Sequence, residues 1–453
     1  MIFLAHGIGG IRDLPIPESY FFVAAAAVLV VSFVLLVGLW RRPQLERRAA
    51  GSVLPSPVSA VVLSRALRVV VQTLSVVVFV VVLVSAAFGT TIELSNLAPT
   101  FVYVVFWLGL PLLSVVLGNV WRALSPWRAI ADGVVWALEL GGGTAQPLLV
   151  YPRRLGRYPA AGALLAFVAM ELAYTRPSAP RMLAIAIALY TYWALGGMAV
   201  YGREAWTRGG EGFAVAFCLL ARMAPFAVRE GRLVLRWPLT GLGGAERTIG
   251  TVGFVAVMLG STSFDGFSRT REWQNLIEHV RARLVDQPVR VADLAVTLVN
   301  VAGLIAFVGL VALTYVAAVE AARRLVRGPR SLVPDFVLSL VPIAFAYVVA
   351  HYFSLFVEYG QFAILLASDP LGRGWDLFGT ADYQPNLTFL TPNTVWYVQV
   401  GALVVGHVAG LAVAHDRAIA LFARRGDAFR SQLPLLALMV LYTVGGLWVL
   451  SRG

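Results

Sequence analysis

The sequence predicts an all-α protein, a polytopic transmembrane bundle of about ten spanning helices with additional interfacial and re-entrant helices. Its composition is the first reason: of 453 residues, 59% are hydrophobic and 13% are charged, and the mean hydropathy is +0.78. Water-soluble domains are less apolar and carry about twice this share of charge, roughly 25%. The second reason is that apolar stretches recur from end to end. We therefore expect residues 1–453 to form a single integral membrane domain.

Ten segments have the roughly 17 to 25 mostly apolar residues that a helix needs to cross a bilayer. They cover about residues 20–40, 68–88, 100–118, 158–174, 182–201, 248–264, 294–317, 332–354, 394–415 and 433–450. The lipid bilayer is the first partner that this pattern predicts.

The orientation follows from arginine, which carries all of the positive charge because the chain contains no lysine. Basic residues are retained on the cytoplasmic side of membranes, so a net charge of +12 indicates cytoplasmic loops and not nucleic-acid binding. With ten spans, the basic loops 41–51, 320–330 and 415–430 all fall on one side. The sequence thus predicts a multi-pass plasma-membrane protein with both termini outside. Residues 265–290 are the exception, because they place five arginines on the outer side.

Two longer segments outside the spans are predicted to face outward. Residues 1–19 form an N-terminal segment, and residues 355–392 form a long aromatic loop after the eighth span. Long connections between spans often carry function.

Three further segments are predicted to be interfacial or re-entrant. Residues 131–140 are too short to cross and have acidic ends. Residues 211–238 contain Arg and Pro among their apolar positions, which favours a half-helix lying against the cytoplasmic face. Residues 356–372 predict a re-entrant or surface helix at the start of the long outer loop.

The chain opens with the sequence MIFLAHG, which suggests a metal site. If a longer precursor were cleaved after Ala5, His6 would become the amino terminus, and its amine and imidazole would chelate one metal ion. Nitrogen ligands of this kind favour copper among the divalent ions. The alternative is that His6 is an ordinary solvated loop residue.

Five blocks of sequence support a resemblance to a known family. They are AHGIGGIRDLPIPE at residues 5–18, LWRRPQLE at 39–46, GNVWRALSPWR at 118–128, GSTSFDGFSRT at 260–270 and AYVVAHYFSL at 346–355. Over nearly the whole chain, these blocks resemble the multi-pass membrane proteins of actinobacteria that carry the name fenitrothion hydrolase. The resemblance implies hydrolysis of an organophosphate triester, a neutral apolar substrate that partitions into lipid. It implies no particular catalytic residue.

Ionisable side chains within the spans are the best candidates for site residues, because each is costly in lipid unless it is paired or hydrated. Asp265, His351 and Glu358 lie near the outer ends of their spans and are the catalytic candidates. The candidate ligands for a divalent metal, copper or zinc, are His6, His351 and His407.

Structural alternatives exist for several of these residues. The polar turn around Asp265 could be a helix end at the interface, with Asp265 capping the next helix. His407 lies among small residues and could hydrogen-bond across a packed helix interface. His415, beside Asp416 and Arg417, is interpreted as a solvated residue at the cytoplasmic end.

Two classes of function remain after motif analysis. The absence of lysine, of a His-Glu-x-x-His motif and of any cysteine besides Cys218 leaves ATP-driven transport and zinc-protease chemistry poorly supported. The first class is a metal-dependent hydrolase with an outward-facing pocket near Asp265, His351 and Glu358. The second is a permease or copper-handling protein in which His407 acts as a relay in mid-membrane.

Overall fold

The computed structural model describes residues 18–144, 146–327 and 330–452. Helices make up most of the fold. In chain order they are α1 Glu18–Leu39, α2 Leu45–Arg48, α3 Ser56–Val62, α4 Arg65–Phe88, α5 Leu97–Thr100, α6 Leu110–Leu117, α7 Trp121–Leu124, α8 Pro126–Leu140, α9 Tyr158–Leu172, α10 Pro180–Tyr201, α11 Arg203–Gly209, α12 Gly212–Ala221, α13 Thr240–Gly243, α14 Thr251–Ser268, α15 Arg271–Arg283, α16 Val289–Leu325, α17 Val333–Phe336, α18 Leu340–Tyr359, α19 Phe362–Ser368, α20 Pro392–Leu421 and α21 Arg425–Arg452.

Shorter or rarer elements complete the chain. A π-helix, Phe101–Gly109, joins α5 to α6, and 3-10 turns occupy Glu93–Ser95, Arg153–Leu155 and Val337–Ser339. Strands β1 Ser52–Val53, β2 Phe226–Arg229 and β3 Arg232–Leu235 form one antiparallel sheet in the order β1-β3-β2.

The prediction of an all-α membrane bundle is confirmed. Within the described residues, eight helical stretches are long and apolar enough to cross a membrane: Ser19–Leu39, Ser56–Phe88, Leu97–Leu117, Pro180–Tyr201, Val289–Leu325, Val333–Tyr359, Pro392–Leu421 and Arg425–Val449. The orientation of the termini stays a prediction.

The two remaining predicted spans, 158–174 and 248–264, correspond to α9 and α14, which are not among these eight stretches. α9 has only 15 residues, and the second half of α14 is rich in serine and threonine. The two helices pack against each other, and Arg157, just before α9, donates a hydrogen bond to Thr251 Oγ1 at the start of α14 (3.1 Å). Most of α14 is buried. It is therefore a central helix that other helices enclose, and this enclosure allows it to carry polar side chains.

The prediction for residues 211–238 is wrong about their location. α12 is a half-helix, but nearly all of its side chains are buried in the bundle, and none of its faces is left for a membrane surface. Phe213 and Phe217 pack against the ring of Phe106 and against each other. The second half of the segment forms β2 and β3, which the sequence analysis did not predict.

The segments predicted at residues 131–140 and 356–372 each contain a helix, but the helices have other bounds than predicted. α8 begins at Pro126, five residues before the predicted segment, and its first turn is buried. At the start of the predicted outer loop 355–392, α18 continues to Tyr359, and α19 follows at Phe362–Ser368, within the segment where a re-entrant or surface helix was predicted. Residues 369–391 have no helix or strand and form the loop proper.

Helices α1 and α20 define two ends of the bundle. Phe21 near the start of α1 contacts the ring of Trp396 near the start of α20, with ring centroids 5.5 Å apart. Trp40, just after α1, donates a hydrogen bond to Asp416 near the end of α20 (2.9 Å). The two helices are therefore parallel. We call the end with residues 41–48 and Arg417 the arginine-rich end, and the other the opposite end.

Candidate functional site

A buried cluster of ionisable side chains lies where α14 and α18 approach the opposite end of the bundle. Asp265 Oδ2 lies 2.8 Å from His351 Nε2 and accepts a hydrogen bond from the Tyr352 hydroxyl at 2.6 Å. Asp265 Oδ1 accepts a hydrogen bond from Arg269 at 2.9 Å, one helical turn further along α14. Asp265 is 2% exposed and His351 is 7% exposed, so both lie inside the protein.

Asp265 does not cap a helix end. α14 continues without interruption from Thr251 to Ser268, and Asp265 is one of its buried residues. The interpretation of residues 260–268 as a broken turn is therefore wrong. The polar residues do not break the helix, because the hydroxyls of Ser261, Thr262 and Ser263 donate hydrogen bonds to carbonyl oxygens of the preceding turn.

A second carboxylate extends the cluster toward α9. Glu171 lies in the last turn of α9, close enough to Asp265 and Arg269 to interact with both charges, and it is near the indole of Trp107. Trp107 belongs to the π-helix. Because π-helical turns are rare and frequently occur at functional sites, this helix independently indicates that the region has a functional role in addition to packing.

One ring nitrogen of His351 faces Asp265. Nε2 lies 2.8 Å from Asp265 Oδ2, and because a carboxylate oxygen accepts, Nε2 is the donor in this contact. Nδ1, the second ring nitrogen, lies on the side of Gly266, where it would be 3.9 Å from a Cβ atom added to that glycine. A histidine held by a carboxylate in this way is oriented to accept a proton at its second nitrogen.

Glu358, the third catalytic candidate, is not part of these contacts. It lies seven residues after His351 on α18, which is about two helical turns. It forms no ion pair among the described residues. Its catalytic role stays a prediction.

His407 lies on a neighbouring helix and is fully buried. Its Nδ1 hydrogen-bonds the carbonyl of Leu403 in its own helix at 2.8 Å, and its Nε2 has no hydrogen-bond partner in the described part of the chain. The expected hydrogen bond across the helix interface is therefore not formed. The close approach of helices that the small residues suggested does occur, since a Cβ on Gly410 would lie 2.7 Å from the carbonyl oxygen of Ser339.

The described residues do not assemble a metal site. No group of three or more His, Cys, Asp or Glu side chains in residues 18–144, 146–327 and 330–452 is arranged to hold a metal ion. Asp265 and His351 are hydrogen-bonded to each other, so the two side chains do not point together toward a position where a metal ion could bind. His6 lies outside the described residues, so a metal site that includes it stays a prediction.

His415 is not a solvated residue, because the structure buries it at the arginine-rich end. Its Nδ1 lies 2.9 Å from Gln432 Oε1, and its Nε2 lies 3.0 Å from the carbonyl oxygen of Trp40. The neighbouring Asp416 accepts hydrogen bonds from Trp40 and from the backbone of Leu45. These contacts connect α20 and α21 to the segment that follows α1, and they explain the burial.

The sequence analysis did not name Arg269, Tyr352 or Glu171 as site residues. The spacing of Asp265 and Arg269 was a usable signal, because residues four apart on a helix face each other. For Tyr352 the only signal was its position beside His351.

Comparison with known proteins adds no relative: no family model, no curated protein and no solved structure matches the chain. The fold and the cluster together define an integral membrane protein with buried, interacting ionisable groups on three helices.

Proposed function

We propose that the protein is an integral membrane hydrolase in which His351, oriented by Asp265, activates a water molecule for attack on a neutral apolar ester. One observation carries this proposal: a buried carboxylate–histidine pair near one end of a membrane bundle. Ionisable groups inside a membrane protein are costly and usually functional. The resemblance of the sequence to proteins named fenitrothion hydrolase supplies the substrate class, an organophosphate triester.

In the proposed reaction, water gives a proton to Nδ1 of His351 while its oxygen bonds to phosphorus. The bond from phosphorus to the leaving alkoxide or aryloxide breaks, and His351 returns the proton to that oxygen. Asp265 stabilises the imidazolium that forms in between. Arg269 pairs with Asp265 from its other carboxylate oxygen, and burial strengthens each of these electrostatic interactions.

The replacement His351→Gln tests the proposal, because glutamine keeps polarity and similar size but cannot accept the proton. We expect kcat/KM for a neutral chromogenic phosphotriester to fall about a hundredfold or more, the usual contribution of a general base. The melting temperature of the purified protein should change little. The matched control is His279→Gln on the exposed face of α15, which should leave the rate unchanged.

Wild-type protein without hydrolytic activity, or equal activity in both variants, would contradict the hydrolase. Loss of folded protein in His351→Gln would assign the pair a structural role instead.

A permease is the second candidate function, and the unpartnered Nε2 of His407 favours it. A buried nitrogen without a hydrogen-bond donor is suited to take up a proton in transit. In sealed liposomes, a proton path through His407 predicts a proton flux that His407→Leu removes. An absence of flux in the wild-type protein would exclude this candidate for protons.

A further inference from the structure

The loop 369–391, at the opposite end of the bundle, carries apolar side chains that the proposed function does not use. Phe378 is 72% exposed and Leu377 beside it is 59% exposed. Three more large apolar side chains of the loop are exposed: Trp375, Leu387 and Phe389. Contact of such side chains with water is unfavourable, and exposed apolar patches mark surfaces that contact a partner or a membrane. The loop is therefore a candidate interaction surface.

Hydrogen bonds of its backbone hold the first part of the loop against the end of α19. The hydroxyl oxygen of Ser368 accepts a hydrogen bond from the backbone N–H of Phe378, and the carbonyl oxygen of Ser368 accepts one from the N–H of Leu377, both at 3.1 Å. The carboxylate of Asp369 accepts a hydrogen bond from the N–H of Gly374 at 2.6 Å. The fold of the loop thus satisfies these backbone groups while it leaves the side chains of Leu377 and Phe378 outside.

The loop starts level with the ends of two spanning helices. The carbonyl oxygen of Pro370 accepts a hydrogen bond from the Ser85 hydroxyl, in the last turn of α4, and one from the N–H of Leu97, which begins the third spanning stretch, at 3.3 Å. The carbonyl oxygen of Leu371 accepts a hydrogen bond from the N–H of Thr90, just after α4, at 2.8 Å. The first residues of the loop are therefore at the edge of the apolar surface that faces lipid.

The loop also ends at this level. It joins α20 at Pro392, one turn before Trp396, whose ring contacts Phe21 of α1. The residues next to this contact pair, Tyr397 and Tyr20, are exposed on their helices. Exposed tyrosines near the ends of spanning helices are typical of the layer between lipid and water. Both ends of the loop therefore lie beside this layer.

We propose that the loop lies in the interfacial layer of the surrounding bilayer, with Trp375, Leu377 and Phe378 in contact with lipid. Lipid is the partner because the exposed surface of the loop continues the lipid-facing surface of the spanning helices. The contact is shallow, since irregular backbone is not tolerated within the hydrocarbon region and Asp376 and Asp382 keep their charges in water. The proposal is independent of the hydrolase, because it uses none of the residues of the buried cluster.

The position of Arg373 agrees with this depth. Its guanidinium group lies over the ring of Trp375, 5.9 Å from the ring centroid. A cation that rests on an exposed aromatic ring brings a positive charge to the level of the lipid phosphates, while the ring faces the acyl chains.

Fluorescence quenching of the full-length protein in lipid nanodiscs, where water reaches both faces, tests the proposal. Cys218→Ser removes the one cysteine of the sequence, and Phe378→Cys then provides a single site for a polarity-sensitive fluorophore. The two quenchers are phosphatidylcholine with a spin label near the carbonyl end of its acyl chain and iodide in the water. We expect strong quenching by the spin-labelled lipid, weak quenching by iodide and emission at a shorter wavelength than in water. Asp382→Cys is the matched control, and its label should be quenched mainly by iodide.

Leu377→Cys provides a second labelling site and serves if Phe378→Cys does not fold. Labels at both sites that iodide quenches as strongly as at Asp382→Cys, with no effect of the spin-labelled lipid, would show that the loop lies in water and would overturn the proposal. Labels that neither quencher reaches would also overturn it, because protein and not lipid would then cover the loop.

Discussion

Asp265→Asn is expected to destabilise the protein by about 3–5 kcal/mol, the usual cost of removing one partner of a buried ion pair. Asparagine cannot neutralise Arg269, which bonds Asp265 Oδ1 at 2.9 Å, and it leaves a positive charge inside the bundle. It also presents an amide where His351 and Tyr352 donate to one carboxylate oxygen. Unfolding monitored by heat or denaturant in detergent measures the effect, and the rate of ester hydrolysis should fall with it.

Two further variants give this prediction its controls. Asp382→Asn makes the same substitution in the exposed loop 369–391 and should have no effect on stability. Adding Arg269→Gln to Asp265→Asn removes the unpaired charge, so the double variant should be more stable than the sum of the single changes predicts. Wild-type stability of Asp265→Asn would show that Asp265 is not the centre of the cluster.

Gly406→Ala is expected to cost about 1–3 kcal/mol, the range for overpacking a well-packed core. The added methyl would overlap the Cβ of Ala346 and lie 3.0 Å from the carbonyl oxygen of Pro342, so α20 would have to move away from α18. Because His407 is the next residue, the displacement should also alter its surroundings. Denaturant unfolding of the purified protein measures the loss.

Gly401→Ala is the matched control in the same helix. A Cβ at Gly401 would meet no atom within 4 Å from any other described part of the chain beyond its own helical turn, so alanine should be neutral or stabilise the helix by up to about 1 kcal/mol. Combining Gly406→Ala with Ala346→Gly removes the Cβ overlap and should recover part of the lost stability. Equal stability of Gly401→Ala and Gly406→Ala would show that α18 and α20 can separate without cost.

Hydropathy predicted most of the fold because a spanning helix is a local property of about 20 residues. It failed for α12, since an apolar half-helix has the same composition whether it lies on a membrane surface or inside a bundle. It also misjudged α14, whose polar half suggested a helix end. For both α12 and α14, the correct interpretation depends on which other helices surround the segment. The sequence of the segment itself does not specify those neighbours.

The candidate site was predictable only in part for the same reason. Asp265 and His351 stood out individually because ionisable residues are rare in apolar segments. Their hydrogen bond joins residues 86 positions apart, and no spacing rule predicts such a contact. His415 was misjudged because Asp416 and Arg417 beside it suggested solvent, whereas the segment after α1 covers all three.

The central position of α14 has a consequence for how the protein is made. A helix whose second half contains Asp265 and several hydroxyls gains little by entering lipid alone, and α18 is synthesised only after it. Arg269, the residue directly after α14, provides a counter-charge from the same stretch of chain, so the carboxylate has a partner before His351 and Tyr352 are synthesised. We therefore expect α14 to be held during biogenesis by helices already inserted, with α9 as the neighbour that Arg157 and Thr251 join to it. The later arrival of α18 then completes the cluster.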